Sequence, residues 1–428
     1  MKFGQRIKLQ RLKRHMTQQQ LAENICSTSY LSKIEKGHVI PKHEIQQALL
    51  NRLEIHEPLI KLDEQTFMEN IQAAYRAVLA IQTKTHARIA FNTFSSTQIV
   101  LENKENFYIA NLYLLYFSLI AEEPPDNIQH LSDGILVIKD KFTPYQKFLY
   151  NAISSKFFYE KKQYEEAKNA IFEALRIKNS ITIEDMEYGA LLELEGSIHF
   201  HLYEQGNAFS RLRAALDIFL NNHAHEKILS TYNFLGLINL QFGNYDFALK
   251  FLNTGYNYAI QLAKKHHYGP LLQNIGYTYA RMNQPKRAID YYRRSLNNTI
   301  EPFKKLTTIH AVVREYSKEN QAEQVAKWCA YGLDLITAHH LDQAAKSYYY
   351  HFHIYTMVHK LEQFNIACFE QAIQHFSVLK DYHNVQKYAF VLAQKYEQTE
   401  QYEDAVIYYR IANEASCSVR AIRDWQDL

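Results

Sequence analysis

The chain has 428 residues, 47% hydrophobic and 22% charged, with a formal net charge of +3. That length exceeds one ordinary domain of ~100 to 200 residues and implies several domains or an extended repeat array. Twelve glycines and eight prolines leave few turns for a sheet, and the four scattered cysteines (Cys26, Cys329, Cys368, Cys417), with no CxxC pair, argue against a disulfide framework or a cysteine zinc site.

The first predicted elements are two short helices joined by a tight turn, within Thr17 to Gly37. Thr17 and Gln20 form a capping box, with Met16 and Leu21 as a hydrophobic staple outside it. The second helix opens at Ser27, whose hydroxyl can accept from the N–H of Ser29 or Tyr30, and ends before Gly37, a residue suited to a left-handed C-terminal position. Leu21, Ala22, Ile25, Leu31 and Ile34 supply a small shared core. The expected arrangement is a helix-turn-helix with double-stranded DNA as partner: Thr28, Ser29 and Lys33 point outward as base readers, flanked by Tyr30 and Lys36. Gln18 and Ser27, each at a helix start, are expected to clamp phosphates through backbone N–H groups.

Charge agrees with this. Residues 1–42 carry nine Lys or Arg against Glu23 and Glu35, a net of +7 that leaves −4 for the rest. A basic excess confined to one end is the footprint of a small nucleic-acid module on a neutral body.

Residues 3–54 resemble the Cro/repressor-type (XRE) helix-turn-helix, and Ile25 to Glu35 is similar to the variant carried by the RRNPP family of peptide-sensing regulators. The segment between Ala22 and Glu35 is one residue shorter than in the commonest repressors, which fits that variant. Gln10 stands where the first helix usually buries an aliphatic, so Phe3, Ile7 and Leu12 are expected to pack instead. The domain is taken as residues 1–60, followed by a linker at 61–66 and a repeat domain over 67–428.

Within the repeat domain, the apolar run from Phe107 to Ala121 is interrupted by Asn111 and Ser118 and is too short to span a membrane, so a buried helix is expected and no membrane partner. Beyond it, Gly196, Gly236 and Gly276 recur every 40 residues, and twelve residues after each stands an alanine: Ala208, Ala248 and Ala288. Ser155 with Ala167 and Ala393 with Ala405 keep the interval; Val313 with Val325 and Tyr355 with Ala367 keep it with larger residues. Small residues facing each other across two antiparallel helices resemble the tetratricopeptide pattern, with a period longer than its usual ~34. Seven pairs are read from about residue 148 to 415, and two degenerate ones within 67–140. The predicted fold class is all-α: an N-terminal helix-turn-helix bundle followed by a right-handed tetratricopeptide-repeat superhelix.

Such arrays curl around a groove suited to extended peptides. Its walls come from the second, fifth, ninth and twelfth positions of each repeat. Counted from the small residue at position eight, the fifth and ninth positions are Ala152 and Lys156, Glu193 and Ser197, Asn233 and Leu237, Gln273 and Tyr277, His310 and Arg314. Asn233, Gln273 and Asn274 carry amides that donate to and accept from a peptide backbone. Lys156 and Arg314 are carboxylate binders, and Leu237, Tyr277 and Phe200 supply apolar contact. The RRNPP resemblance implies the same ligand, a short signalling peptide gripped by asparagines of the inner helices.

No phosphate loop, nucleophile elbow or HExxH is present, and no catalytic, metal or cofactor site is expected. The His199/His201, His266/His267, His339/His340 and His351/His353 pairs place neighbours on different helix faces and read as surface histidines. The expectation is therefore a cytoplasmic, peptide-controlled quorum-sensing transcriptional regulator acting as a homodimer. The alternatives are a repeat scaffold or phosphatase acting on a phosphotransfer response regulator, which the family resemblance also includes, and a phage repressor of similar build.

Overall fold

In a computed structural model of the chain, residues 3–14, 16–53, 63–81, 83–97, 99, 101–124, 128, 131–133, 135 and 139–419 are described. Those residues contain helices and no strand. They fall into two compact units, residues 1–238 and 239–428. The division lies within the repeats; of the expected linker, residues 61 and 62 lie outside the described residues, while 64–66 already belong to a helix.

The first unit opens with α1 (Phe3–Lys13), α2 (Gln18–Ala22), α3 (Thr28–Glu35) and α4 (His43–Arg52). Both expected caps form. The Thr17 hydroxyl accepts from the Gln20 N–H at 3.1 Å while the Gln20 amide oxygen accepts from the Thr17 N–H at 2.7 Å. The Ser27 hydroxyl accepts from the Tyr30 N–H at 3.1 Å. Gly37 takes φ +75°, the left-handed stop that a side chain would resist. The core joins Ile7, Leu21, Ala22, Leu31, Ile34, Leu49, Leu50 and Leu53, with Phe3 and Met16 packed beside it. Ile7 is thus the residue of α1 that replaces the missing aliphatic, while Gln10 bonds Arg14 at 3.0 Å.

A buried ion pair also braces this bundle. The Arg11 guanidinium donates to both Glu35 carboxylate oxygens, at 2.6 and 3.0 Å, and to the Met16 carbonyl at 2.7 Å. Those two charges, both part of the net +7 of residues 1–42, are internal. Gly4 lies against α3 so closely that a Cβ there would overlap the Ile34 carbonyl.

Next come α5 (Glu64–Ile81), α6 (Lys84–Ser96) and α7 (Lys104–Ile120). Helix α7 carries the apolar run and is buried almost throughout, Asn111 and Ser118 included, their side chains turned back onto the carbonyls of Phe107 and Leu115. Of the two degenerate repeats, α5 and α6 make one; the expected partner of α7 falls largely outside the described residues.

Seven helix pairs follow, as the period requires. They are α8 (Pro144–Glu160) with α9 (Tyr164–Lys178), α10 (Asp185–His201) with α11 (Gln205–Asn221), and α12 (His225–Gln241) with α13 (Tyr245–Gln261). Then come α14 (Tyr268–Arg281) with α15 (Pro285–Asn298), α16 (Pro302–Lys318) with α17 (Ala322–Ala338), α18 (Lys346–Val358) with α19 (Ile366–Val378), and α20 (Tyr382–Gln398) with α21 (Tyr402–Val419). The small residues sit where the two helices of a pair meet. A Cβ on Gly196 would stand 2.6 Å from the Leu212 side chain, and one on Gly276 2.7 Å from the Tyr292 ring. Ser155 uses the same position to donate to the Ala167 carbonyl at 2.9 Å.

One expected pair fails. Tyr355 is buried but Ala367 is exposed, because the longer connection from residue 359 to 365 delays α19 and hands the buried positions to Phe369 and Ala372.

Turns within and between pairs end on a residue in the left-handed region: Lys162, Tyr203, His223, Ala263, Asn283, Asn320, His340, Lys360, Lys380 and Glu400 do so without being glycine. At each of these turns the next N–H returns to a carbonyl five residues back, as Gln163 to Phe158 and Gln321 to Tyr316.

Candidate functional site

In the N-terminal bundle, α3 presents Thr28, Ser29, Lys33 and Lys36 to solvent, with Ser27 at its mouth. Tyr30 behaves differently: its ring leans on the bundle core, so it buttresses the reading helix rather than standing free of it. The Gln18 side chain is also taken, donating to Glu35 Oε2 at 2.6 Å. What remains for a phosphate there is the N–H in the first turn of α2, which has no intrahelical acceptor. Glu35 therefore links the two short helices to α1 through one carboxylate.

The repeat part of the first unit encloses a cavity of about 210 Å³. Its walls are Tyr75, Tyr116, Phe148 and Leu191 with Ala152, Lys156, Glu193 and Ser197, all four of the latter being fifth or ninth positions of their repeats. Lys156 pairs with Glu160 at 2.6 Å and lies over the Tyr159 ring at 5.2 Å. Sequence reasoning did not single out Lys227, which also lines this space and pairs with Glu193 at 2.5 Å, while Ser230 donates to the same carboxylate at 2.9 Å. Glu187 faces the cavity too. Burial raises its pKa against the hydrogen bond that the Tyr145 hydroxyl donates at 2.7 Å. Lys156 and Lys227 are each matched by a carboxylate, and the rest of the lining is chiefly apolar, aromatic and aliphatic in similar number.

Phe200 packs edge-on against Phe234, a wall residue, at 6.3 Å, and stands beside the cavity rather than in its lining. Asn233 and Leu237 are half-buried on α12.

In the second unit, Gln273, Asn274 and Tyr277 lie half-buried on α14, and the Gln273 amide oxygen is buried with no hydrogen-bond partner among the described residues. Arg314 lies over the Tyr277 ring at 5.4 Å. His310 is more enclosed than a ligand-facing residue would be: its ring stacks on His351 at 4.2 Å and 6°, and burial, then His351, Lys387 and Arg314, push its pKa well below the ordinary histidine value. His351 hydrogen-bonds the Tyr388 hydroxyl, and burial pushes it down to about 3. His199 is buried as well, bonded to Glu204 at 2.5 Å. His199 and His351 are thus internal, contrary to the expectation of surface histidines. Lys387 was also missed. The position count reaches it, two being its place before Ala393 at eight, but the enumeration used only positions five and nine.

Among the described residues, no helix is long and apolar enough to cross a membrane.

Comparison with known proteins agrees with this architecture. Residues 7–60 match the Helix-turn-helix family and residues 269–298 the Tetratricopeptide repeat family. The chain is 21% identical over 405 residues to the transcriptional activator NprA of Geobacillus stearothermophilus, covering 92% of this chain and 98% of that one. Its fold is that of the quorum sensor NprR from B. thuringiensis in the apo form (TM-score 0.65, 16% identity, 82% of this chain and 98% of that one). NprR in complex with its cognate peptide NprX gives 0.56, 16%, 82% and 99%. It is also that of aspartyl phosphate phosphatase F from Bacillus subtilis (0.56, 14%, 85% and 96%). The protein is an all-α chain that joins a helix-turn-helix to tetratricopeptide repeats. With these two domains in this order and a likeness running almost end to end, it resembles the peptide-sensing regulators of the RRNPP family.

Proposed function

We propose that the protein is a cytoplasmic transcriptional regulator that binds operator DNA through α3 and is controlled by a short signalling peptide held by its repeats. The observation that carries this is the outer face of α3: Ser29 and Lys33 stand exposed on a helix whose entry, exit and rear face are fixed by caps and core. Such a helix offers side chains to base edges at little entropic cost. The +7 charge of residues 1–42 draws it to the duplex. The likeness to NprA supports the regulatory half, and the fold shared with peptide-bound NprR supports the sensing half.

A single bundle of this size is small for tight specific binding, so two subunits would place two α3 helices in successive major grooves. In this reading Thr28, Ser29 and Lys33 contact bases, and Lys36, with the N–H groups at Gln18 and Ser27, contacts phosphates. Selection from random duplexes with the full chain tests it. A motif with two half-sites about one turn apart should be enriched. Lys33→Ala should relax the motif, whereas Lys36→Ala should weaken all duplexes alike. Failure to enrich any motif, or equal losses for Lys33→Ala on specific and scrambled DNA, would refute the assignment.

A further inference from the structure

The inner helices α16, α18 and α20 carry an unbalanced positive charge. Arg314 shares its one carboxylate neighbour, Glu315 at 3.3 Å, with Lys318, which approaches that carboxylate at 3.0 and 3.1 Å. Lys387 has no carboxylate within ion-pair distance among the described residues; it donates to the Tyr355 hydroxyl at 2.7 Å and lies over the Tyr355 ring at 4.4 Å. It is solvent-exposed all the same. Two cations thus share one acid and the third has none. Tyr277 and Tyr355 present flat faces beside them, Tyr355 standing 5.8 Å from the His310 ring. His310 and His351, buried and neutral, add no compensating negative charge.

We infer that the second unit holds a carboxylate of the bound peptide, taken by the Arg314 guanidinium and the Lys387 ammonium with the Tyr355 hydroxyl alongside. The inference rests on the peptide-sensing reading above. Guanidinium and ammonium donate charge-assisted hydrogen bonds to such a group, and a deficit of acid at a solvent-reachable surface is relieved when one arrives. The first unit makes the contrast, since there Lys227 is already matched by Glu193 and Lys156 by Glu160. The carboxylate is either the peptide terminus or an Asp or Glu side chain.

The test uses the full chain and three pools of random hexapeptides: all residues with a free carboxyl end, all residues with an amidated end, and an amidated pool lacking Asp and Glu. Retained peptides are quantified by mass spectrometry. The carboxylate-free pool should be retained about tenfold less than the free-acid pool, the size expected for a charged hydrogen bond. Retention of the second pool at the level of the first identifies a side chain; retention of the first alone identifies the terminus. Lys387→Met and Arg314→Gln should each erase the preference with helical circular dichroism unchanged, and the exposed Lys387→Gln serves should Arg314→Gln fold poorly. Equal retention of all pools by the unsubstituted chain would overturn the inference while leaving peptide sensing intact. No retention of any pool would overturn both.

Discussion

The N-terminal bundle and the repeats bring helices into close contact by different means. In the bundle, α1 reaches α3 through backbone against backbone at Gly4, and a buried carboxylate ties α1, α2 and α3 together. In the repeats, the nearest neighbour of the small residue is a side chain of the partner helix, Leu212 for Gly196 and Tyr292 for Gly276, with the carbonyls of Ala208 and Ala288 standing off at 3.1 Å. A carbonyl cannot move aside without unravelling its helix, but a leucine or tyrosine side chain can rotate. The bundle is therefore the brittle region and the array the tolerant one.

The largest expected effect breaks the brace. Removing one member of a buried pair strands the other, so Glu35→Ala should cost about 3–5 kcal/mol and abolish DNA binding in a mobility-shift assay. If thermal unfolding and DNA binding were unchanged, the brace would be dispensable. Next, Gly4→Ala should cost about 3 kcal/mol, the upper end for overpacking. The same substitution at Gly276 should cost less, about 1–2 kcal/mol, since its nearest atoms are the Tyr292 ring at 2.7 Å and the carbonyl there stands at 3.1 Å. Urea unfolding of both variants sharpens the comparison, and equal losses would remove it. A smaller effect is expected for Ser27→Ala, about 1 kcal/mol for a lost cap, with weaker affinity for every duplex.

The smallest expected effect is in pH. Solvent reaches the Lys387 side chain, yet the protein packed around its ammonium, then Arg314, depresses its pKa to about 8. Its ammonium is charged below that value and neutral above, so affinity for a carboxylate-bearing peptide should be full below pH 8 and fall as pH rises through it. Lys387→Arg, charged throughout, should flatten the profile in isothermal titration; an unchanged decline would exclude Lys387 as its source.

What the sequence made legible was local or periodic. Thr17 with Gln20, and Ser27 with Tyr30, are three residues apart, and a capping bond depends on nothing further. The interval of twelve between small residues survives because a helix hairpin of fixed length sets it. Arg11 and Glu35 are 24 residues apart and each is an ordinary surface residue in composition, so their burial had no sequence signal. Tyr30 is likewise one position on a short helix whose rotation only packing decides. Ala367 misled because spacing was kept while the connection before α19 lengthened. The histidines misled because His199 and His351 find partners, Glu204 and Tyr388, on other turns or other helices. Of the groove, the position count reached Lys156, Glu193 and Ser197; Lys227 belongs to no counted position and is brought to the cavity by the packing of α12.

The left-handed residues that close the hairpins have a consequence for how the array evolves and can be engineered. An L side chain in that conformation costs roughly 1 kcal/mol relative to glycine. Among the described turns, Gly243 alone in the array avoids it; Lys162, Asn320, Lys360, Lys380 and Glu400 do not. Each of those corners is a reserve of unclaimed stability. Glycines introduced there one by one should raise the stability of the scaffold in graded steps, a dial for asking how much stability signal transmission tolerates.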